Sequence, residues 1–161
     1  MPATRRHVAA LVRLMARSPL LRRYDVTDRG ARAGLLEALR ERDLVLVAVE
    51  GGDTVGFAWV ITTRALDSSA YLRLLLVAEG KQSRGVGATL LEHAETRARA
   101  SGSRHFVLLV TTTNRRARAF YVRLGYRHVG SLPGFARPGI GESLYVKSWP
   151  RTGARTRDRG R

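Results

Sequence analysis

The stretch 71–110 constrains the fold more than any other part of the chain. An apolar run, Tyr71–Val77, leads through a glycine-containing stretch into an amphipathic helix, Gly85–Ala100. A second apolar run, Phe106–Val110, follows, and a run this continuous is typical of a strand that is buried on both faces in a parallel pairing. A strand, a helix and a strand in this order predict a sheet with a parallel pair and a covering helix.

Two amphipathic helices are predicted before this unit. The first carries apolar residues at helical spacing, namely Val8, Leu11, Val12 and Met15. The second begins at Thr27 or Asp28 as a cap and has an apolar stripe of Leu35, Leu36 and Leu39. Because the start of the chain is rich in arginine and poor in acidic residues, a mitochondrial transit peptide is an alternative for the first helix. We favour a helix that packs on the domain.

The other predicted elements complete a mixed sheet. They are the strands 44–49 and 54–63 around the turn Gly51-Gly52-Asp53, the helix 115–124 ending at Gly125, and the closing strands 126–129 and 143–147. Pro133 and Pro138 predict a loop between the last two strands. This order of elements is typical of an α/β or α+β domain.

The composition bounds the class of protein. A chain of 161 residues has room for one domain, which we expect over residues 1–150. Residues 151–161 hold five arginines and no apolar residue larger than Ala154, which predicts a disordered tail. Zero cysteines exclude disulfides, thiolate zinc sites and thiol nucleophiles. An apolar run of the ~20 residues that a membrane span requires is missing from the sequence, so we expect a cytoplasmic protein without a membrane partner.

The net charge of +16 suggests nucleic acid as a partner. All but two of the 29 basic residues are arginines, and they are spread over the chain rather than gathered in one run. The sequence shows no alternation of basic and aromatic residues. We therefore expect nucleic-acid binding to be secondary, through the basic tail, if it occurs at all.

The glycine-containing stretch predicts an anion site. It follows a strand and opens a helix, where glycines allow close approach of a ligand and unpaired backbone N–H groups attract phosphate. The order of residues differs from that of a P-loop, which ends in Gly-Lys-Ser/Thr. A dinucleotide fingerprint needs a third glycine, and Leu90 stands in that place.

The pattern Gln82-x-x-Gly85-x-Gly87-Ala88 resembles the acetyl-CoA pyrophosphate loop of the GCN5-related N-acetyltransferases, the GNAT family. A second stretch, Asn114 to Tyr126, resembles that family's motif N-x-x-A-x-x-x-Y-x-x-x-G-(F/Y). Asn114 and Tyr121 are seven residues apart, about two helical turns, so their side chains point the same way. The alternative is that Tyr121 is a core aromatic and Asn114 only a helix cap.

The resemblance implies a fold and a cosubstrate. The expected fold is a mixed, mostly antiparallel sheet flanked by helices, with a V-shaped splay between the strands 71–77 and 106–110. Acetyl-CoA is the expected cosubstrate, and no metal is expected. The implied acetyl-CoA-binding residues are Leu75, Val77, Gln82, Ser83, Arg84, Gly85, Val86, Gly87, Ala88, Asn114 and Tyr121. Backbone groups of Leu75 and Val77 hold the pantetheine arm in this scheme, and the amides from Gln82 to Ala88 hold the pyrophosphate.

The resemblance also assigns Tyr121 as the catalytic acid that protonates the leaving thiolate, since a tyrosine of ordinary pKa ~10 is protonated at neutral pH.

The general base is not evident. Glu50, Glu142 and a water chain are the candidates; we expect both carboxylates to be solvated surface charges and rank water first. Alternation along the third strand places Tyr71, Arg73, Leu75 and Val77 on one face.

Arg73 has two interpretations. If it lines the acceptor side, it favours an acceptor with a carboxylate or phosphate; otherwise it is a sheet-edge arginine, which we slightly prefer.

The sequence therefore predicts an N-acetyltransferase that moves an acetyl group from acetyl-CoA to a primary amine of a small molecule or peptide, directly in a ternary complex. The alternatives are a basic nucleic-acid-associated protein and a non-catalytic acyl-CoA-binding module, and a homodimer is compatible with all three.

Overall fold

A computed structural model describes residues 1–62 and 65–150. The α-helices are α1 (Val8–Ala16), α2 (Pro19–Arg23), α3 (Asp28–Arg40), α4 (Ala65–Ser68), α5 (Val86–Ala100) and α6 (Arg115–Arg123). The strands are β1 (Leu44–Glu50), β2 (Asp53–Thr62), β3 (Ser69–Val77), β4 (His105–Thr111), β5 (Arg127–Arg137) and β6 (Ile140–Ser148). Short 3₁₀ turns cover Arg5–His7 and Glu79–Lys81. The tail predicted at 151–161 lies outside the described residues.

The six strands form a single sheet in the order β1-β2-β3-β4-β6-β5. Only β3 and β4 pair in parallel among these strands, and the other neighbours are antiparallel. The helix α5 joins the parallel pair, as a crossover connection requires. This confirms the mixed, mostly antiparallel sheet flanked by helices.

Helices cover the two faces of the sheet in separate layers. On one face, α5 buries Leu90, Leu91, Ala94 and Ala98 in a core that also contains Tyr121 of α6. On the other face, α1 and α3 pack over β1 and β2, burying Leu11 and Leu35. The first helix therefore packs on the domain, as the apolar spacing predicted. Thr27 is the cap of α3, with its hydroxyl accepting the Gly30 N–H at 3.1 Å.

A β-bulge interrupts β3 and corrects the predicted alternation. Val60 of β2 pairs with Leu72, whereas Trp59 pairs with Leu74, which leaves Arg73 as an extra residue. Beyond the extra residue, each side chain of β3 lies on the opposite face of the sheet from the one that regular alternation predicts. Leu75 and Val77 therefore pack with Leu72 in the α5 core. The prediction that Tyr71 shares a face with Leu75 and Val77 is therefore wrong, because a bulge shifts the alternation by one residue.

The predicted loop between the closing strands is correct for Pro138, which lies in the turn, and wrong for Pro133, which lies within β5. The strand β5 continues to Arg137, and the chain turns at Pro138 and Gly139, whose φ is +78°. Pro133 is tolerated because β5 is the edge strand of the sheet, where a missing backbone donor need not break a ladder. The two closing strands are thus a long hairpin, and its far end reaches past the body of the sheet.

The seating of α3 on the sheet can be tested with two neighbouring leucines. Leu35 is 1% exposed and Leu36 is 38% exposed. We expect Leu35→Ala to lower the free energy of unfolding by about 2–5 kcal/mol, because it leaves a cavity in the core. We expect the matched control, Leu36→Ala, to change it by about 0.5 kcal/mol or less. Urea unfolding of the two variants measures both values, and equal losses would show that α3 is not seated in this way.

Candidate functional site

The parallel strands β3 and β4 part from each other within the sheet. Their pairing runs from Ser69–His105 to Leu72–Leu108 and then stops. Each strand continues, β3 to Val77 and β4 to Thr111, so a V-shaped gap opens between them. The parting begins at the bulged residue Arg73, and a bulge bends the strand that carries it.

Backbone groups of Leu75 and Val77 point into this gap. The Ala78 N–H donates to the Val55 carbonyl of β2 at 2.8 Å. This bond shows which residues of β3 direct their backbone N–H and C=O groups toward β2. Because hydrogen-bonding direction alternates along an antiparallel pair, Leu74 and Leu76 turn their backbone groups toward β2. Leu75 and Val77 turn theirs toward β4, beyond the last β3–β4 pair. An extended ligand can therefore pair with β3 as an added strand.

The loop after β3 presents a row of unpaired backbone donors. Within the described residues, the six amides from Ser83 to Ala88 donate to no protein acceptor. Gly85 takes φ +82° and caps α5 without a side-chain hydrogen bond, and Ser83 takes φ +64°. Free amides at the start of a 15-residue helix are an anion site, strengthened by the helix dipole.

Gln82 contributes differently from the amides that follow it. Its backbone N–H donates to the Glu79 carbonyl at 3.3 Å, so it is already used. Its side-chain Nε2 donates to the Val77 carbonyl at 3.1 Å. Gln82 therefore ties the loop to the end of β3 and shapes the site through its side chain.

The helix α6 forms the opposite wall of the gap. Asn114 caps it, because its Oδ1 accepts the Ala117 N–H at 3.1 Å. The prediction that Asn114 is a helix cap is therefore confirmed for this side-chain oxygen. A Cβ atom placed on Gly87 would lie 3.6 Å from Val77 Cγ2 and 3.7 Å from Phe120 Cζ. The start of α5, the end of β3 and the middle of α6 thus meet at the gap.

Tyr121 lies in this wall, 8% exposed, with its ring edge-on to Phe120 and Tyr126. Burial raises the pKa of its hydroxyl well above the ordinary value, because the phenolate is costly to desolvate. Its hydroxyl makes no hydrogen bond to a described residue. A protonated, unpaired hydroxyl in such a position can donate a proton to a ligand.

Basic residues surround the amide row. Arg116 at the start of α6 donates from Nη2 to Ser83 Oγ at 2.9 Å, which holds its guanidinium beside the amides. The sequence reasoning missed Arg116, which has no motif of its own. Lys81 instead pairs with Glu50 at 2.5 Å, and this lysine lowers the pKa of the exposed Glu50 carboxyl.

Glu142 has a different environment from the one expected. It is 3% exposed, so the prediction of a solvated surface charge is wrong. Glu142 lies on β6, where it pairs with Thr111 of β4. The Tyr24 hydroxyl, from the loop between α2 and α3, donates to Glu142 Oε1 and lies 2.6 Å from Thr111 Oγ1. Burial and this hydrogen bond raise the pKa of Tyr24. The sequence reasoning missed Tyr24, because 118 residues separate it from Glu142.

Arg73 lies on the same sheet face as this cluster. Its guanidinium carbon is 5.0 Å from the centre of the Trp59 ring, a cation–π contact. Tyr71, nearby, has a pKa raised by burial; the Arg73 charge opposes this shift and the Glu142 charge adds to it. The face therefore holds both signs of charge close to the gap.

A model of the acetyltransferase (GNAT) family matches residues 10–126, well over half of the chain. The chain belongs to the GNAT acetyltransferase family. It is 34% identical to streptothricin acetyltransferase of Streptomyces lavendulae over 89 residues, which are 55% of this chain and 46% of that protein. The chain thus matches about half the length of this relative. The family and the relative support an acetyl-CoA-dependent N-acetyltransferase.

Solved structures share the fold at low sequence identity. An aminoglycoside 6'-N-acetyltransferase complexed with coenzyme A superposes with a TM-score of 0.80 at 18% identity, covering 95% of this chain and 98% of that one. The ribosomal-protein-S18-alanine N-acetyltransferase of Escherichia coli gives a TM-score of 0.78 at 19% identity, covering 96% of each chain. This GNAT protein thus shares its overall fold with these structures.

Two features are absent from residues 1–62 and 65–150. None of the helices there is long and apolar enough to cross a membrane. No group of three or more His, Asp or Glu side chains there is arranged to hold a metal ion.

Deleting Arg73 tests whether the bulge opens the gap. The deletion restores regular pairing with β2 and leaves Leu72, Leu75 and Val77 on their present face, so we expect the protein to stay folded. We expect the affinity for acetyl-CoA to fall at least about tenfold, since β3 then stays paired with β4. Calorimetric titration measures the affinity and circular dichroism the fold.

The control is Arg73→Ala, which keeps the extra residue and should keep most of the affinity. Unchanged acetyl-CoA affinity in the folded deletion variant would refute the role of the bulge.

Proposed function

We propose that this protein transfers an acetyl group from acetyl-CoA to a primary amine by direct attack within a ternary complex. The observation that carries the proposal is the gap beside β3, where Leu75 and Val77 offer backbone groups and six unpaired amides follow at its end. A strand edge suits the amide-containing pantetheine arm, and the amide row suits a pyrophosphate. Family membership agrees with this fit.

The residues proposed to hold acetyl-CoA are those the motifs indicate. Leu75 and Val77 bind the pantetheine arm through their backbone, and one of their amides polarises the thioester carbonyl. The amides from Ser83 to Ala88 bind the pyrophosphate, and Gln82 and Asn114 hold the loop and α6 in place. Arg116 adds positive charge beside the amides, and so does Arg84 within the loop.

Acetyl-CoA supplies an acetyl group on a sulfur leaving group, and the protein's task is to orient it and move protons. Half-buried apolar side chains of Leu75, Val77 and Phe120 border the gap and limit the access of water to the thioester, which slows hydrolysis. As the amine nitrogen bonds to the acetyl carbon and the C–S bond breaks, the nitrogen releases a proton to water and the departing sulfur takes one from Tyr121, which water then reprotonates. The raised pKa of Tyr121 keeps its proton in place at neutral pH until the C–S bond breaks.

The acceptor can be sought among the amines that the relatives' names suggest. One relative is a streptothricin acetyltransferase, and structures with the same fold act on aminoglycosides and on an alanine of a ribosomal protein, as their names state. A panel of streptothricin, kanamycin and a peptide with an amino-terminal alanine covers these classes. Release of CoA that depends on the amine supports the proposal; acetyl-CoA binding without release for any amine would favour a non-catalytic acyl-CoA-binding module.

Replacement of Tyr121 tests the catalytic assignment. We expect Tyr121→Phe to lower turnover by about 10²-fold or more, because the leaving sulfur loses its proton donor. Affinity for acetyl-CoA should change little, since the hydroxyl acts at the reacting end only. Steady-state CoA release and calorimetric binding of acetyl-CoA measure the two quantities.

The matched control is Tyr126→Phe, which removes a hydroxyl from the neighbouring ring. That hydroxyl donates to Glu95 at 2.8 Å, away from the gap. We expect near-normal turnover from this variant. Equal turnover of wild type and Tyr121→Phe on a validated acceptor would refute the assignment.

A further inference from the structure

Glu142 is a buried carboxylate without a cationic partner. The chain has 29 lysines and arginines, yet none in the described ranges forms an ion pair with Glu142. A buried charge without a counter-charge costs free energy. In so basic a protein, the missing cation calls for an explanation.

Glu95 shows how this chain satisfies another inward-facing carboxylate. Its side chain is 12% exposed; Lys147 binds Oε2 at 2.7 Å and Tyr126 donates to Oε1 at 2.8 Å. Glu142 has the equivalent tyrosine, since Tyr24 donates to its Oε1, but no lysine stands at its Oε2. Within the described residues, Glu142 Oε2 is thus left without the cation that Glu95 Oε2 has.

The position of Glu142 suits an amine that attacks across the gap. Thr111, its partner on β4, lies three residues beyond Leu108, where β3 and β4 stop pairing. Along β6, Tyr145 faces the α5 core, so by alternation Glu142 faces the other side of the sheet. Tyr121 lies on the α5 side. The carboxylate and the proposed proton donor therefore lie on opposite faces of the sheet, so each approaches the gap from its own side.

The surroundings hold the carboxylate in one orientation. Because Tyr24 donates its only hydroxyl proton to Glu142, Thr111 donates to Tyr24 across 2.6 Å. Arg137, at the end of β5, donates to the Tyr24 carbonyl from Nε at 3.1 Å and from Nη2 at 2.9 Å, and pairs with Asp25 at 2.8 Å. Arg137 is thus a positioning residue that acts through Tyr24.

We infer that Glu142 binds the ammonium group of the acceptor before acetyl transfer, which makes amines without a neighbouring acidic group the substrate class of this site. The inference rests on the proposed function and narrows it. The acceptor's ammonium supplies the counter-charge at Oε2 while Tyr24 and Thr111 keep Oε1 in place. One ammonium proton passes to water before the nitrogen lone pair attacks the acetyl carbon. An acceptor that carries an acidic group beside its amine is disfavoured by the same carboxylate, contrary to the preference that Arg73 alone suggested.

The test is Glu142→Gln, which keeps the shape and the oxygen that accepts from Tyr24 but removes the charge. For the amine of the panel that wild type acetylates, we expect KM to rise about 10- to 100-fold, the value of a hydrogen bond to a charged group. We expect kcat to change less than about threefold and acetyl-CoA affinity to be unchanged. Glu37→Gln, an exposed carboxylate on α3, is the matched control and should change neither constant.

Thermal unfolding of the same variants without ligand gives a second, independent reading. Removing a buried, unpaired charge should raise Tm in Glu142→Gln and leave it unchanged in Glu37→Gln. An unchanged KM, or a fall in Tm, overturns the inference and indicates a structural carboxylate. If no amine in the panel reacts with wild type, the proposed function fails instead, and the Tm comparison still decides whether Glu142 lacks a cation.

Discussion

One extra residue in β3 turns that strand away from β4, and the functional features of the molecule are arranged around the resulting gap. The parallel pair holds over four residues, and beyond Leu72 each strand keeps only its outer neighbour. The sheet remains continuous because β2 and β6 still support the two halves. Beyond Leu72, the backbone groups of β3 that would otherwise bond to β4 form an open strand edge inside the protein. The row of loop amides lies at the end of this edge.

The two faces of the gap have different chemistry. On the α5 side, apolar packing surrounds Tyr121, and desolvation keeps its hydroxyl protonated. On the other side, Tyr24, Thr111 and Glu142 form a polar cluster held by the far end of the last hairpin. Arg116 is held beside the amide row, whereas Arg73 and Arg137, on the side of the cluster, form no ion pair with Glu142. Among residues 1–62 and 65–150, no cation pairs with Glu142 of β6, and this observation carries the inference about the acceptor.

Patterns within short stretches of sequence made the amide row and the wall with Tyr121 predictable. The strand, the glycines and the helix of residues 71–100 are contiguous, so spacing alone placed the amide row, and the seven-residue interval from Asn114 set Tyr121 on the same wall. The bulge at Arg73 was not predictable, because it depends on how β3 pairs with β2. The Tyr24–Glu142 contact joins distant segments, and the long final hairpin depends on Pro133 being at a sheet edge, which only the strand order shows.

Nuclear magnetic resonance titration of the ¹⁵N-labelled protein with acetyl-CoA tests the central claim most directly. The account predicts saturable chemical-shift changes at the backbone amides of Leu75 and Val77 and along Ser83–Ala88, with smaller changes at Leu74 and Leu76, whose groups are bonded to β2. Saturable binding that leaves the amides of Leu75, Val77 and the loop unperturbed would contradict it, and so would the absence of binding.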